Sequence, residues 1–171
     1  MQIKDRIEFK NKAPTLTFAA NEIVMTAVKA MTEKNYGASV IVDENYKPVG
    51  ILTERDLMRR LLARGLDPTT TPISQIMTTQ LKVATGNDGV VDWLRVMSNE
   101  RFRHLPVVDA NGKLVSLMSQ GDFVSYTWPQ LLHKIKDDVT QSFLKRHEMF
   151  VLVGGIMIYF MVMLIMVIVL K

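Results

Sequence analysis

The 171-residue sequence contains no cysteine, which excludes disulfides, thiolate metal sites and a cysteine nucleophile while leaving the compartment open. Histidine is scarce: His104, His133 and His147 show no metal-ligand spacing, and neither a His-Glu-x-x-His pair nor a glycine-rich phosphate loop with lysine occurs. These gaps argue against an enzyme. Also missing are an arginine-rich tract and any interleaving of aromatic and basic residues. With 21 Lys and Arg against 17 Asp and Glu, the net charge of +4 is too modest to imply a nucleic-acid partner. The opening MQIKDRIEFKNK is charged throughout and has no apolar core of a secretory signal, so the globular part is expected in the cytoplasm.

Charge is absent from one further place. Phe150 to Leu170 is an apolar run without proline or a charged residue, followed by Lys171. At ~1.5 Å per residue a helix of this length reaches the ~30 Å hydrocarbon thickness of a bilayer, so residues 150–170 are expected to form a transmembrane helix. Lys134, Lys136, Lys145 and Arg146 precede it and favour the cytoplasmic leaflet, against a weakening contribution from Asp137, Asp138, Glu148 and Lys171. Between module and span, Leu131, Leu132, Ile135, Val139 and Phe143 recur at helical spacing after Trp128-Pro129, predicting an amphipathic juxtamembrane helix over 127–149. A single-pass protein of an inner or plasma membrane is the expected topology.

What is present in the remaining chain is an internal repeat. Met31 and Met97, Asp43 and Asp109, Asn45 and Asn111, Lys47 and Lys113, and Asp56 and Asp122 all stand 66 positions apart, without a gap. Ile23, Val24, Ala27, Val28 and Met31 share one helical face, as do Val90, Trp93, Leu94 and Met97, and each helix begins near polar residues suited to capping. A β-rich run follows (Val40 to Val42; Leu105 to Val108), then a turn (Asp43 to Tyr46; Asp109 to Gly112), then a second run (Val49 to Leu52; Leu114 to Met118). Each copy then reads hydroxyl-x-x-carboxylate: Thr53-Glu54-Arg55-Asp56 and Ser119-Gln120-Gly121-Asp122. Alone, either tetrad is a helix N-cap. The predicted organisation is an extension over 1–13, repeats over 14–72 and 73–126, the connecting helix over 127–149 and the span.

Gly50-Ile51-Leu52-Thr53-Glu54-Arg55-Asp56, Ser116-Leu117-Met118-Ser119-Gln120-Gly121-Asp122 and Arg103-His104-Leu105-Pro106-Val107-Val108-Asp109 together resemble a tandem pair of cystathionine-β-synthase-type (CBS) domains, a Bateman module, over about Pro14 to Tyr126. The resemblance implies an α+β fold of two βαββα units related by a pseudo-twofold axis, and two clefts that hold adenosine-containing ligands in many relatives. Carried over, Thr53 and Asp56 serve one cleft and Ser119 and Asp122 the other. Each acid would accept ribose hydroxyls while each alcohol meets a phosphate. Ile51 and Leu117 would contact the base, and Arg103 and His104 a phosphate. Ser116 stands where the pattern has a glycine that admits a ligand to the backbone, which would weaken the second cleft. Gly37-Ala38 stands opposite Arg103-His104, which would leave the first copy poorer in phosphate partners.

No tightly bound cofactor is expected. The implied regulatory ligand is AMP, ADP, ATP or S-adenosylmethionine, and the implied role is a membrane-tethered sensor, homodimeric through the module, that signals to an integral membrane protein or complex. A structural accessory subunit with vestigial clefts is the alternative.

Overall fold

The computed structural model describes residues 1–125, 156–158, 161 and 166. The predicted connecting helix over 127–149 and most of the predicted span over 150–170 lie outside them. Among the described residues no helix is long and apolar enough to cross a membrane.

Residues 1–124 form one compact unit built from two copies of the same chain path. In the first copy β1 (Thr17–Phe18) leads to α2 (Val24–Lys34), β2 (Ala38–Val42) and β3 (Pro48–Thr53). The chain then turns into α3 (Glu54–Asp56), which continues as a π turn (Leu57–Leu61) and a 3-10 turn (Leu62–Arg64). In the second, β4 (Ala84–Thr85), α4 (Val90–Asn99), β5 (His104–Val108) and β6 (Leu114–Ser119) follow the same course into a helical segment over 120–125. The short helix α1 (Ile7–Lys10) precedes both. Each copy holds a three-stranded sheet, β1-β2-β3 or β4-β5-β6, whose first pair is parallel and second antiparallel. The βαββ-helix unit expected from the sequence is the one observed.

The hairpins repeat in atomic detail. The Asp43 carboxylate accepts from the Asn45 and Lys47 amides at 2.9 and 2.8 Å, and Asp109 accepts from Asn111 and Lys113 at the same distances. These aspartates nucleate the turns by holding backbone donors that the sheet leaves unpaired. Both turns need a left-handed residue at the same place, met in the second copy by Gly112 (φ 78°) and in the first by Tyr46 (φ 61°).

The helix-capping expectation needs correction. The residue before α2 is Ile23 and that before α4 is Gly89, and neither gives a side-chain cap. The polar residues close the turn one step earlier: Glu22 accepts from the Ala19 amide at 2.7 Å, and Asp88 from the amide and hydroxyl of Thr85 at 3.0 and 2.8 Å.

Strand alternation divides the apolar residues into three cores. Phe18, Val24, Ala27, Met31, Ile41, Leu52 and Leu61 lie under the helices of the first copy, and Ala84, Val90, Met97, Leu105, Val107, Met118 and Phe123 under those of the second. Ala38, Val40 and Ile51 of one sheet meet Leu114 and Leu117 of the other in a third core between the copies. Burying an aliphatic side chain of this size contributes about 1.5–3 kcal/mol, so this seam is a substantial part of what joins the copies.

Residues 1–13, expected to be an extension, are woven into the second copy. Ile3 is fully buried in its core, its amide bonds the Asp88 carbonyl at 3.0 Å, and Lys4 bonds the Gly86 carbonyl at 2.8 Å. Arg6, only 2 % exposed, donates to the Asp122 carbonyl at 2.6 Å.

Replacing Tyr46 with glycine removes the Cβ penalty of the left-handed conformation without changing the turn's backbone bonds. The variant is expected to gain about 0.5–1 kcal/mol in urea unfolding, whereas Gly112→Tyr loses at least as much.

Candidate ligand clefts between the two repeats

Beside the apolar seam lie two neighbouring clefts, which share Gly37 and His104 in their linings. A strand of one copy terminates there opposite the strand entrance of the other. The first cleft, of about 230 Å³, is lined by Ile51, Thr53, Glu54, Arg55 and Asp56 of the first copy and by Thr78, Phe102, Arg103 and His104 of the second, together with Gly37. The second, of about 260 Å³, is lined by Leu117, Ser119 and His104 on one side and by Lys12, Pro14, Thr15, Leu16, Asn35, Tyr36, Gly37 and Ala38 on the other. Both fall just under the ~300 Å³ at which small-molecule sites commonly begin, a size for one nucleoside unit rather than a dinucleotide.

The two hydroxyl-carboxylate tetrads form closed rings. Thr53 donates its amide (3.1 Å) and hydroxyl (2.6 Å) to Asp56 Oδ2 and accepts from the Asp56 amide (3.2 Å). Ser119 donates its amide (2.6 Å) and hydroxyl (2.8 Å) to Asp122 Oδ2 and accepts from the Asp122 amide (3.2 Å). This reciprocal box satisfies orphan donors at the helix start. Its consequence corrects one expectation: both hydroxyls are committed to the neighbouring carboxylate, so a phosphate has to be met by other groups.

The second oxygen of Asp56 accepts from the Thr78 hydroxyl at 3.1 Å and lies 3.6 Å from Arg60 Nε. The π turn brings Arg60 there, where its guanidinium also donates to the Ile76 and Met77 carbonyls at 3.1 and 2.7 Å. Asp122 is instead met by the ammonium of Lys12. Thr78 and Lys12 are themselves 66 positions apart. The segment leading into each copy therefore crosses to the acid of the other, a reciprocal exchange that marks a two-fold relation.

Of the expected site residues, Ile51, Thr53, Asp56, Arg103 and His104 come together in the first cleft and Leu117 and Ser119 in the second, with Asp122 held beneath Ser119. Two expectations are overturned. Arg103 belongs to the second copy but lines the first cleft, so the cleft poorer in arginine is the second one. Ser116 pairs with Val107, and Gly50 with Ile41, both on the helix-facing sides of their sheets, so neither touches a cleft. A Cβ at position 50 would lie 2.5 Å from the Met77 sulfur, so a larger residue there requires the Met77 side chain to shift. Residues the sequence reading passed over are Lys12, Thr78 and the aromatic pair Tyr36 and Phe102. The signal was the repeat itself, since each pair keeps the 66-residue spacing.

His104 lines both clefts. Burial lowers its basicity below the ordinary imidazole value, with Lys12 and Arg103 adding to the effect and Glu54 and Asp122 opposing it. Burial acts to raise the Asp122 carboxyl, but hydrogen bonds from Lys12 and from the Ser119 amide and hydroxyl outweigh it and leave the group below the usual carboxylate range.

These features define a class: two copies of a small α+β unit joined face to face, with two adjacent nucleoside-sized clefts where the copies meet. The CBS-domain model matches residues 9–63 and 73–128, and the chain belongs to the CBS-domain family. Among curated relatives, it is 38 % identical over 102 residues to an uncharacterised 17.7 kDa protein of Acidianus ambivalens, covering 60 % of each chain. It is 33 % identical over 129 residues to the mitochondrial CBS domain-containing protein CBSX3 of Arabidopsis thaliana, covering 71 % of this chain and 62 % of that one. The chain thus spans about three fifths of the length of these curated relatives. Among solved structures, a CBS-domain protein of Burkholderia ambifaria superposes with a TM-score of 0.68 at 31 % identity, covering 74 % of this chain and 93 % of that one. The CBS domain pair of protein MJ0100, in complex with 5′-methylthioadenosine and S-adenosyl-L-methionine, superposes with a TM-score of 0.66 at 27 % identity, covering 76 % and 98 %.

The signs of the two shifted groups predict the acid response. His104 resists a proton that the unfolded chain accepts near pH ~6.5, so stability falls as pH drops from that value towards the lowered one. Asp122 stabilises fully above its unfolded value of ~3.9 and loses the contribution as pH falls through its depressed one. Urea unfolding between pH 7.5 and 3 is expected to show both limbs, with His104→Gln flattening the upper and Asp122→Asn the lower. A second expected outcome concerns Ser116, whose buried hydroxyl has no partner among the described residues. Ser116→Ala should stabilise by about 1 kcal/mol and leave ligand affinity unchanged.

Proposed function

We propose that the chain is a membrane-tethered regulatory module that binds an adenine nucleotide or related adenosyl ligand in its clefts and signals to a membrane partner. The observation that carries the ligand reading is the first cleft. It combines an apolar strand end at Ile51, an aromatic ring at Phe102, a carboxylate at Asp56 and two arginines in one nucleoside-sized space. An adenine fits between apolar strand end and ring. The Asp56 oxygen facing Thr78 can accept a ribose hydroxyl, and Arg55 and Arg103 suit a phosphate. Arg55 already donates to the Arg101 carbonyl at 3.1 Å, which leaves Arg103 as the principal phosphate partner. The adenosyl ligands of the MJ0100 pair support the same class. AMP, ADP, ATP, S-adenosylmethionine and 5′-methylthioadenosine are the ligands to compare.

Tethering rests on the apolar run from Phe150 to Leu170. Its described residues Ile156, Met157, Ile158, Met161 and Met166 are helical and 49–69 % exposed, an apolar surface suited to lipid or to another membrane helix. The module then lies on the cytoplasmic side of an inner or plasma membrane, pairs with a second copy, and passes a ligand-dependent change of orientation between the repeats to an integral membrane protein. No catalytic step is assigned to it.

One observation favours the accessory-subunit reading. Thr78 and Arg60 already satisfy Asp56, and Lys12 already satisfies Asp122, as purely structural caps would require.

Melting curves of the full chain in mild detergent separate the two readings. At about 100-fold excess over the dissociation constant a nucleoside ligand stabilises by ~2.7 kcal/mol per occupied cleft, an upward shift of several degrees, and Asp56→Asn is expected to remove the share that the first cleft contributes. A flat response to all five ligands refutes sensing. Retention of the chain in alkaline-washed membranes, lost on deleting residues 150–171, tests the tether.

A further inference from the structure

The two clefts are built to one plan but differ at one decisive position. Where the first acid meets the neutral hydroxyl of Thr78, the second meets the ammonium of Lys12. Both residues stand at equivalent places on the segment that crosses from the opposite copy. Lys12 also lines the second cavity beside Ser119 and Thr15, and its side chain is 27 % exposed against 21 % for Asp122. Among the described residues that line that cleft there is no arginine, and Tyr36 supplies the aromatic ring in place of Phe102.

We infer that Lys12 is the residue that sets ligand preference in the second cleft, selecting a phosphorylated nucleoside over the bare nucleoside. This rests on the reading of the clefts as nucleoside sites. A sugar diol approaching Asp122 competes with the ammonium for the same carboxylate. A ligand with only a diol strands Lys12 in a partly buried space, which costs a charge-assisted bond without replacing it. A ligand that also carries a phosphate gives the ammonium a new anion, and the flexible four-carbon stem lets it change partners. In the first cleft the Thr78 hydroxyl can donate to the carboxylate or to a neighbouring oxygen when a diol binds, and Arg60, 3.6 Å from the same acid, keeps its bonds to the Ile76 and Met77 carbonyls and so is not stranded. Selection there falls to Arg103 and is independent of any displacement.

The test is calorimetric titration of the full detergent-solubilised chain with AMP and with adenosine, using Asp56→Asn to silence the first cleft. In that background AMP is expected to bind roughly tenfold more tightly than adenosine. Adding Lys12→Thr should bring the ratio close to one, while Lys12→Arg should preserve it. The reciprocal Thr78→Lys, made alone, should create a comparable preference in the first cleft and keeps the inference testable if the double variant fails to fold. An AMP-to-adenosine ratio indifferent to both Lys12→Thr and Thr78→Lys overturns the inference while leaving nucleoside binding intact. Binding by the wild-type chain that vanishes entirely with Asp56→Asn also overturns it, because the second cleft is then no nucleoside site. Failure of the wild-type chain to bind either probe refutes the proposed function, and this inference with it.

Discussion

Everything in the module depends on the contact of two sheets across Ala38, Val40, Ile51, Leu114 and Leu117. This seam is dry and aliphatic, so it holds the copies together without dictating any polar geometry. It is also short. Where the aliphatic side chains stop, the strand ends diverge, and each divergence becomes a cavity walled by one copy's strand terminus and the other's strand entrance. Ala38, Ile51 and Leu117 belong to the seam and to the cleft walls at once, whereas Lys12, Thr78, Arg103 and His104 line the clefts without taking part in it.

Specialisation is visible in the pairs that the duplication set equal. Thr53 and Ser119 with Asp56 and Asp122 have kept the same hydrogen-bonded ring, which also secures the start of a helix and so resists change. Tyr36 and Phe102 have kept aromatic character. Gly37 and Arg103, Ala38 and His104, and Lys12 and Thr78 have diverged outright. Divergence also reaches positions away from the cavities: Gly50 stands opposite Ser116, and the buried Ser39 opposite Leu105.

Much of this architecture was legible in the sequence because local chemistry and the repeat agreed. The hairpins were readable from Asp43 and Asp109, whose carboxylates act on amides two and four residues away. The helical faces were readable from Val24, Ala27 and Met31, and the tetrads from their spacing. What stayed hidden was every contact that joins one copy to the other. Which cleft Arg103 serves is not legible in the sequence, because a strand entrance can face either way and only the packing of the sheets decides. Gly50 and Ser116 read as ligand-facing from the pattern, yet the strand pleat turns them towards the helices, where Met77 packs against position 50. Lys12 was set aside with an extension because nothing in a charged dodecapeptide foretells a partner about 110 residues away, a distance that only topology spans.

The weaving of residues 1–12 into the second copy bears on how the chain reaches its final form. Ile3 completes a core whose strands, Leu105 and Met118 among them, leave the ribosome about 100 residues later. Bringing Ile3 to that core closes a loop of about 100 residues, whose entropic cost exceeds that of a hairpin but grows only slowly with length. The bond from Arg6 to the Asp122 carbonyl is part of that closure, so the second acid is tied in place by the chain's opening residues as well as by its own helix start.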